Sequence, residues 1–395
     1  ENVKIYANLY VSIEPLKGLK YKLNFTPDFQ FYRYNEYQGL YYCGLTSNGI
    51  TQVSDQQTRK RNILVEHLLS FKISALAGYT YQDSRYRLLK GTGQGMPEGI
   101  KEIDAASTGL TTNGNSTRSV MTSILGRVFY SYDNRYLVTA TIRRDGSSKF
   151  GKNNRYGNFP SVSVGWNVAE ESFIKGKVNW LDQLKLRGGY GVLGNQEISD
   201  YQYVSVVTTG INYPNGGTGL ISGAFPKTFA NPDIKWEETA MTNIGIDLMA
   251  LNNRLSLTAD WYVKNTKDIL LNVPIPISTG GSNDPIRNAG KIQNTGVEFN
   301  LGWNDRISND LSYGLSFIGT YNKNEVKEMG SESQAITGGT IHGGTYTTKT
   351  IVGYPIGGFW LVKTDGYPRY ALFTVIGGCL TNCVLDYIAI FHLDM

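Results

Sequence analysis

Arg254-Leu255-Ser256-Leu257-Thr258-Ala259-Asp260-Trp261-Tyr262-Val263-Lys264 decides the fold class of this chain. Leu255, Leu257, Ala259, Trp261 and Val263 fall on one side of an extended backbone, and Arg254, Ser256, Thr258, Asp260, Tyr262 and Lys264 on the other. Strand side chains alternate between faces, so a period of two that separates apolar from polar residues marks a half-buried strand, and no helical period sorts these residues. The pattern recurs outward in both directions. Val162, Val164, Trp166 and Val168 alternate with Ser161, Ser163, Gly165 and Asn167, and Val297, Phe299, Leu301 and Trp303 alternate with Glu298, Asn300 and Gly302. Tyr136, Val138, Ala140 and Ile142 repeat it. There are about a dozen such stretches of roughly 10 residues, the length a tilted strand needs to cross a bilayer and about twice the soluble average.

The connections alternate as well. Tight turns lie near Pro15–Gly18, Ser70–Phe71, Asp133–Asn134, Asn252–Asn253 and Asp305–Asn309. Long polar stretches cover 33–57, 83–118, 146–157, 194–236, 266–291 and 323 onward, and Glu170 to Asp182 is of middle length with room for a helical turn. Short turns on one rim and long loops on the other predict an all-β, transmembrane antiparallel β-barrel with its long loops facing outward. A soluble sandwich or solenoid also alternates, but its strands are shorter. Trp180, Trp236, Tyr262, Tyr321 and Tyr132 are candidates for interfacial aromatic girdles.

Composition agrees, with 45 Gly for turns and crowded strand positions and 27 Tyr suited to a surface that is apolar on one side and wet on the other. A net charge of +5 over 395 residues, without a basic run interleaved with aromatics, argues against a nucleic-acid partner. Cys43, Cys379 and Cys383 are too few for a disulfide framework. Glu1-Asn2-Val3-Lys4 lacks the basic and apolar regions of an export signal, which is expected to lie outside this sequence. Up to residue 366 no apolar run approaches the roughly 18 residues of a membrane helix.

Little in the chain suggests catalysis, a metal site or a cofactor. His67, His342 and His392 are far apart, and His67 reads as a structural histidine in a strand. Gly91-Thr92-Gly93-Gln94-Gly95 fits neither a dinucleotide nor a phosphate loop and reads as a flexible outer loop. Glu170-Glu171 and Glu237-Glu238 are adjacent, so in extended chain they point apart and read as solvated rim charges rather than an acid/base pair. Cys379 and Cys383 have no second ligand pair. Asp145-Gly146-Ser147-Ser148 has oxygens that suit calcium or a sugar, but such clusters more often supply left-handed backbone angles to tight loops. Tyr32, Tyr34, Tyr37, Tyr41 and Tyr42 form a candidate sugar-stacking surface. No ligand-binding residue is fixed by these patterns.

Several blocks resemble the SusC/RagA family, the TonB-dependent outer-membrane transporters with which Bacteroidota import glycans and peptides. They are Arg144-Asp145-Gly146-Ser147-Ser148-Lys149-Phe150-Gly151 with Asn153-Asn154-Arg155-Tyr156-Gly157 and Phe159-Pro160-Ser161-Val162-Ser163-Val164-Gly165-Trp166; Leu184-Lys185-Leu186-Arg187-Gly188-Gly189-Tyr190-Gly191 with Gly194-Asn195; and Asn231-Pro232-Asp233-Ile234-Lys235-Trp236-Glu237 with Thr242-Asn243-Ile244-Gly245-Ile246-Asp247. Asn288-Ala289-Gly290-Lys291-Ile292-Gln293-Asn294-Thr295-Gly296-Val297-Glu298 follows in the same order. The resemblance implies about a dozen strands of a 22-stranded plugged barrel, with residues 1–366 as partial barrel and the plug outside this sequence. It implies active nutrient import, of a glycan more than a peptide, through the bacterial outer membrane. Its implied partners are outer-membrane lipid, a SusD-like surface lipoprotein and TonB. A passive pore closed from these strands alone, or the product of a broken gene, are the alternatives. Residues 367–395 diverge, and a frameshifted or rearranged tail is expected there.

Overall fold

The computed structural model describes residues 2–359 apart from 44–45, 72–73, 215, 217–218, 274–283, 309–310, 330–334 and 341–345. The divergent tail, His342, His392, Cys379 and Cys383 lie outside the described residues. Glu1–Gln334 with Ile351–Pro355 form one compact unit, distinct from a second. The first unit contains the wall.

That wall is one antiparallel sheet of thirteen strands. In chain order they are β1 (Asn2–Tyr6), β2 (Leu9–Leu16), β3 (Leu19–Gln38), β4 (Gln52–Phe71), β5 (Ala75–Gln94), β6 (Thr108–Tyr132) and β7 (Tyr136–Ser147). β8 (Tyr156–Asn167), β9 (Leu181–Asn195), β10 (Glu237–Ala250), β11 (Leu255–Lys267), β12 (Lys291–Arg306) and β13 (Ser312–Glu328) complete it. β1 and β2 both pair with β3, at Tyr6↔Asp28 and Leu9↔Phe25, so they act as one stave broken at Ala7 and Asn8 and the wall has the expected dozen staves. Each later stave pairs with its chain neighbour, and among the described residues no ladder joins β13 back to β1 or β2.

Turn chemistry closes the short rim. Gly18, Ser74, Asp133, Asn134, Asn252 and Asn253 all have positive φ, which glycine, Asn and Asp adopt at least cost. The first inter-strand turn after Ser70 comes later than expected, between Phe71 and Ala75. Between β8 and β9 the expected helical turn is a 3-10 turn at Val168–Glu170 followed by hydrogen bonds from Lys175 N to Glu171 O and from Val178 N to Ile174 O. Glu171 is buried there rather than solvated. Its carboxylate accepts from the Tyr136 hydroxyl at 2.6 Å, the Trp166 indole at 2.9 Å and Arg135 at 3.3 Å. The hydrogen bonds from Tyr136 and Trp166 hold its carboxyl below the usual carboxylate range.

Strand length departs from expectation. β3, β4 and β5 each run 20 residues and β6 runs 25, so much of 33–57 and 83–118 is ladder rather than loop. Loss of apolar alternation marks where a strand leaves hydrocarbon, but backbone groups go on pairing wherever a neighbour offers partners. Gly91 to Gln94 belongs to β5 for this reason. A Cβ on Gly93 would come within 2.6 Å of Ala106 Cβ, so close packing beneath the following segment, not looseness, explains this glycine run.

Register joins the staves into two faces. One row runs Ile13, Tyr21, Leu69, Ala77, Gly126, Ile142, Pro160. Another runs Tyr132, Tyr136, Trp166, Leu186, Ile246, Ala259, Phe299, Gly319. Together they trace an apolar belt across all the staves, and much of it is open: Ile244 is 58%, Phe317 63% and Leu315 68% exposed. An apolar face of this extent belongs in lipid, not water. His67 lies on this face between Tyr21 and Tyr79 and shares a 2.8 Å hydrogen bond with the Tyr21 hydroxyl. Tyr132 stacks on Tyr136 at the short rim, and Tyr321 stands 69% exposed on the belt. Trp180, 57% exposed, lies in the β8–β9 connection on the same rim. Tyr262 falls instead on the polar face, opposite Asn243. Trp236 is 5% exposed among loop residues. Neither serves as a girdle.

Candidate functional site

The polar face carries the charge. Arg187 on β9 donates to Asp247 on β10 at 3.1 Å and to Asp260 on β11 at 2.6 Å, spanning three staves. Arg143 on β7 donates to Asp145 at 2.6 Å and to Ser123 on β6 at 3.0 Å. Asn62, Gln82 and Ser84 form a hydrogen-bonded set across β4 and β5. These groups face away from the belt, so the sheet has one apolar and one polar face, as a membrane-barrel wall does.

Long-side segments fold down onto this face. Phe150, Phe159, Ile198, Ile234 and Trp236 form a buried cluster, with Phe159 edge-on to Trp236 at 5.3 Å and Phe150 tilted against it at 5.0 Å. Phe159 is clamped by glycines, since a Cβ on Gly157 or Gly194 would fall 2.4 or 2.1 Å from its ring. Hydrogen bonds stitch the segments: Trp236 Nε1 to Arg155 O, Asn154 Nδ2 to Asp233 O, and Asn231 Nδ2 to Ile286 O, at 3.1, 2.8 and 2.9 Å. Asn288 receives Lys235 N and donates back to Lys235 O and to Asp268 O. Residues 148–160, 231–236 and 286–288 are thus one scaffold assembled from distant blocks.

Between this scaffold and the wall lies a cavity of about 510 Å³, walled by Asn62, Ser84, Tyr86 and Ser119 and roofed by Lys149 and Asp200. Asp200 Oδ1 is buried without a hydrogen-bond partner among the described residues. A desolvated carboxylate oxygen is costly unless something pairs with it, so it is an available acceptor for a hydroxyl or amide donor. Nothing in the sequence signals this cavity, because its lining is brought together from several staves and two connections.

The sequence-level candidates are dispersed. Tyr32 bonds Gln30 at 2.8 Å, and the Tyr37 hydroxyl accepts Gly99 N at 3.2 Å. Tyr41 and Tyr42 sit on a separate short hairpin, so the five tyrosines form no single platform. Asp145 is committed to Arg143, and the Ser148 hydroxyl accepts Val120 N at 2.8 Å. The Asp145 to Ser148 cluster therefore anchors its loop, and its described residues form no metal-holding group. Nor does Gly146 serve a left-handed backbone. It leaves room for the Tyr156 ring, 2.5 Å from where a Cβ would stand. Glu237 accepts Asn195 Nδ2 and Leu270 N, while Glu238 pairs with Lys267, the two pointing apart.

Residues 10–374 match the family described as TonB dependent receptor-like, beta-barrel. TonB-dependent receptor P39 of Formosa agariphila is 39% identical over 243 residues, 61% of this chain and 22% of that protein. TonB-dependent receptor SusC of Bacteroides thetaiotaomicron is 40% identical over 218 residues, 54% of this chain and 21% of that protein. The chain thus spans about a fifth of the length of these curated relatives. Among solved structures, the RagAB peptide transporter superposes with a TM-score of 0.78 at 25% identity, over 90% of this chain and 39% of the matched one.

Proposed function

Because the chain belongs to the TonB-dependent receptor-like β-barrel family, we propose that it is wall and outer scaffold of an energised outer-membrane importer of nutrients. The observation that carries this reading is the register-linked pair of faces: a continuous apolar belt on one side, and on the other a polar lining onto which long-side connections fold. The wall performs no covalent chemistry. It holds the conduit, while TonB and a SusD-like surface lipoprotein act through other parts of the receptor and at its outer rim.

The cargo we assign is an oligosaccharide held against Asn62, Ser84, Tyr86, Lys149 and Asp200, groups that suit a polyhydroxyl ligand. A peptide is the second reading, favoured by the likeness to the RagAB peptide transporter. Uptake of labelled oligosaccharides and of labelled peptides by cells carrying the intact receptor separates the two. Energised import stops when the proton gradient is dissipated, whereas continued uptake would mean a passive pore. Asp200→Asn with Tyr86→Ala lowers uptake of the true cargo and leaves the other unchanged.

A further inference from the structure

The apolar face changes character toward the long-connection rim of β4, β5 and β6. Beyond Val65 and Tyr81 the same face carries Arg61, Arg85 and Arg118 in one register row and Arg59 with Arg87 in the next. Arg59 stands directly opposite Arg87, Arg61 opposite Arg85, and Arg85 opposite Arg118. Like charges placed opposite each other across a ladder repel. Asp83 offsets part of this, lying 3.7, 3.5 and 3.0 Å from Arg61, Arg85 and Arg118. Three of the five guanidiniums therefore share one carboxylate, and among the described residues Arg59 and Arg87 have no anionic partner. Arg61 Nε is buried with no hydrogen-bond partner among the described residues. Arg59 and Arg87, with Gln57 and Leu89, enclose a recess of about 140 Å³.

Height identifies what the recess meets. From Leu69 at the short rim, Arg61 and Arg59 are ~26 and ~33 Å up the strand at a rise of ~3.3 Å per residue, or ~20 to 25 Å in height at a tilt of ~40°. That is the upper edge of an apolar band ~25 Å tall. Phe29 and Phe31 share these rows on β3, giving the aromatic and basic composition of an interface.

We propose that this arginine cluster binds the phosphate of an anionic lipid head group in the outer leaflet. Arg59 and Arg87 grip the phosphate oxygens, and Leu89 and Phe31 border the lipid. The proposal rests on the reading of the belt as a membrane face. Guanidinium forks suit phosphate bidentately, and each basic side chain at a charged membrane surface strengthens binding about fivefold.

The test uses the receptor in phosphatidylcholine vesicles containing lipid A, either diphosphorylated or enzymatically dephosphorylated, with bound lipid A measured after density flotation and detergent extraction. Diphosphorylated lipid A is expected to be retained strongly and the dephosphorylated form weakly, a comparison that needs no variant. Arg59→Gln with Arg87→Gln should lower retention roughly 25-fold, while Lys60→Gln on the opposite face leaves it unchanged. Equal retention of both lipid forms, or an unaffected double variant, overturns the proposal. Complete displacement by inorganic phosphate would place a free anion there and overturn the lipid assignment. Failure to enter vesicles of any composition would instead overturn the membrane reading beneath it.

Discussion

A charge placed in the middle of the belt measures whether that face meets lipid. Ala259 is the central belt residue of β11, between Ile246 and Phe299 on the flanking staves. From Leu255 to Val263 the belt extends ~26 Å along the strand and ~20 Å in height at the usual tilt, with Ala259 halfway. Arginine at the midplane of a barrel's lipid face costs about 2 to 4 kcal/mol, so Ala259→Arg should shift the unfolding equilibrium by roughly 100-fold. Thr258→Arg, one residue away, turns toward Asp247 on the polar face and should change stability by less than about 0.5 kcal/mol. Urea titration of the vesicle-inserted protein, followed by tryptophan fluorescence, reads both. Equal, small effects for the two variants would refute the assignment of faces, because a sheet with water on both sides treats the two positions alike.

Other outcomes follow from the same geometry. Glu171→Gln should remove one acid-sensitive step from the unfolding profile: its carboxyl is held below the usual range, so its contribution is full above the unfolded-state pKa and is lost as pH falls through the folded one. A pH series of melts on both proteins checks this. Gly194→Ala should destabilise by about 1 to 3 kcal/mol through collision with the Phe159 ring, with partial rescue by Phe159→Leu in the same urea assay. Trp236→Ala should cost about 3 to 5 kcal/mol locally and expose 196–236 to protease, read as faster cleavage in intact cells.

Strands and turns were legible because alternation and Gly, Asn or Asp at turns are local signals. Asp133–Asn134 and Asn252–Asn253 appear where expected, with positive φ. Strand ends were not legible, since the outer parts of β3 to β6 keep their ladders without apolar side chains to announce them. Trp236 and Glu171 were misplaced, and the Asp145 to Ser148 loop was given the wrong backbone reason, for another cause. Each is used by a partner distant in sequence, Trp236 by Phe150 and Phe159, Glu171 by Tyr136 and Trp166, and Ser148 by Val120. The cavity beneath Lys149 and Asp200 is wholly a product of tertiary assembly.

Rim-selective labelling tests the central claim most directly. Cys43 is exposed in the connection from β3 to β4 on the long side, and Ser74 lies on the opposite, short-turn rim. In a Cys379→Ser, Cys383→Ser background, a membrane-impermeant maleimide is added to intact cells, and a Cys43→Ser, Ser74→Cys version is treated in parallel. An outer-membrane wall with its long connections outward predicts labelling of Cys43 in intact cells and of the Ser74→Cys version only after the outer membrane is permeabilised. Equal labelling of the two, or labelling of Cys43 only after permeabilisation, would contradict it.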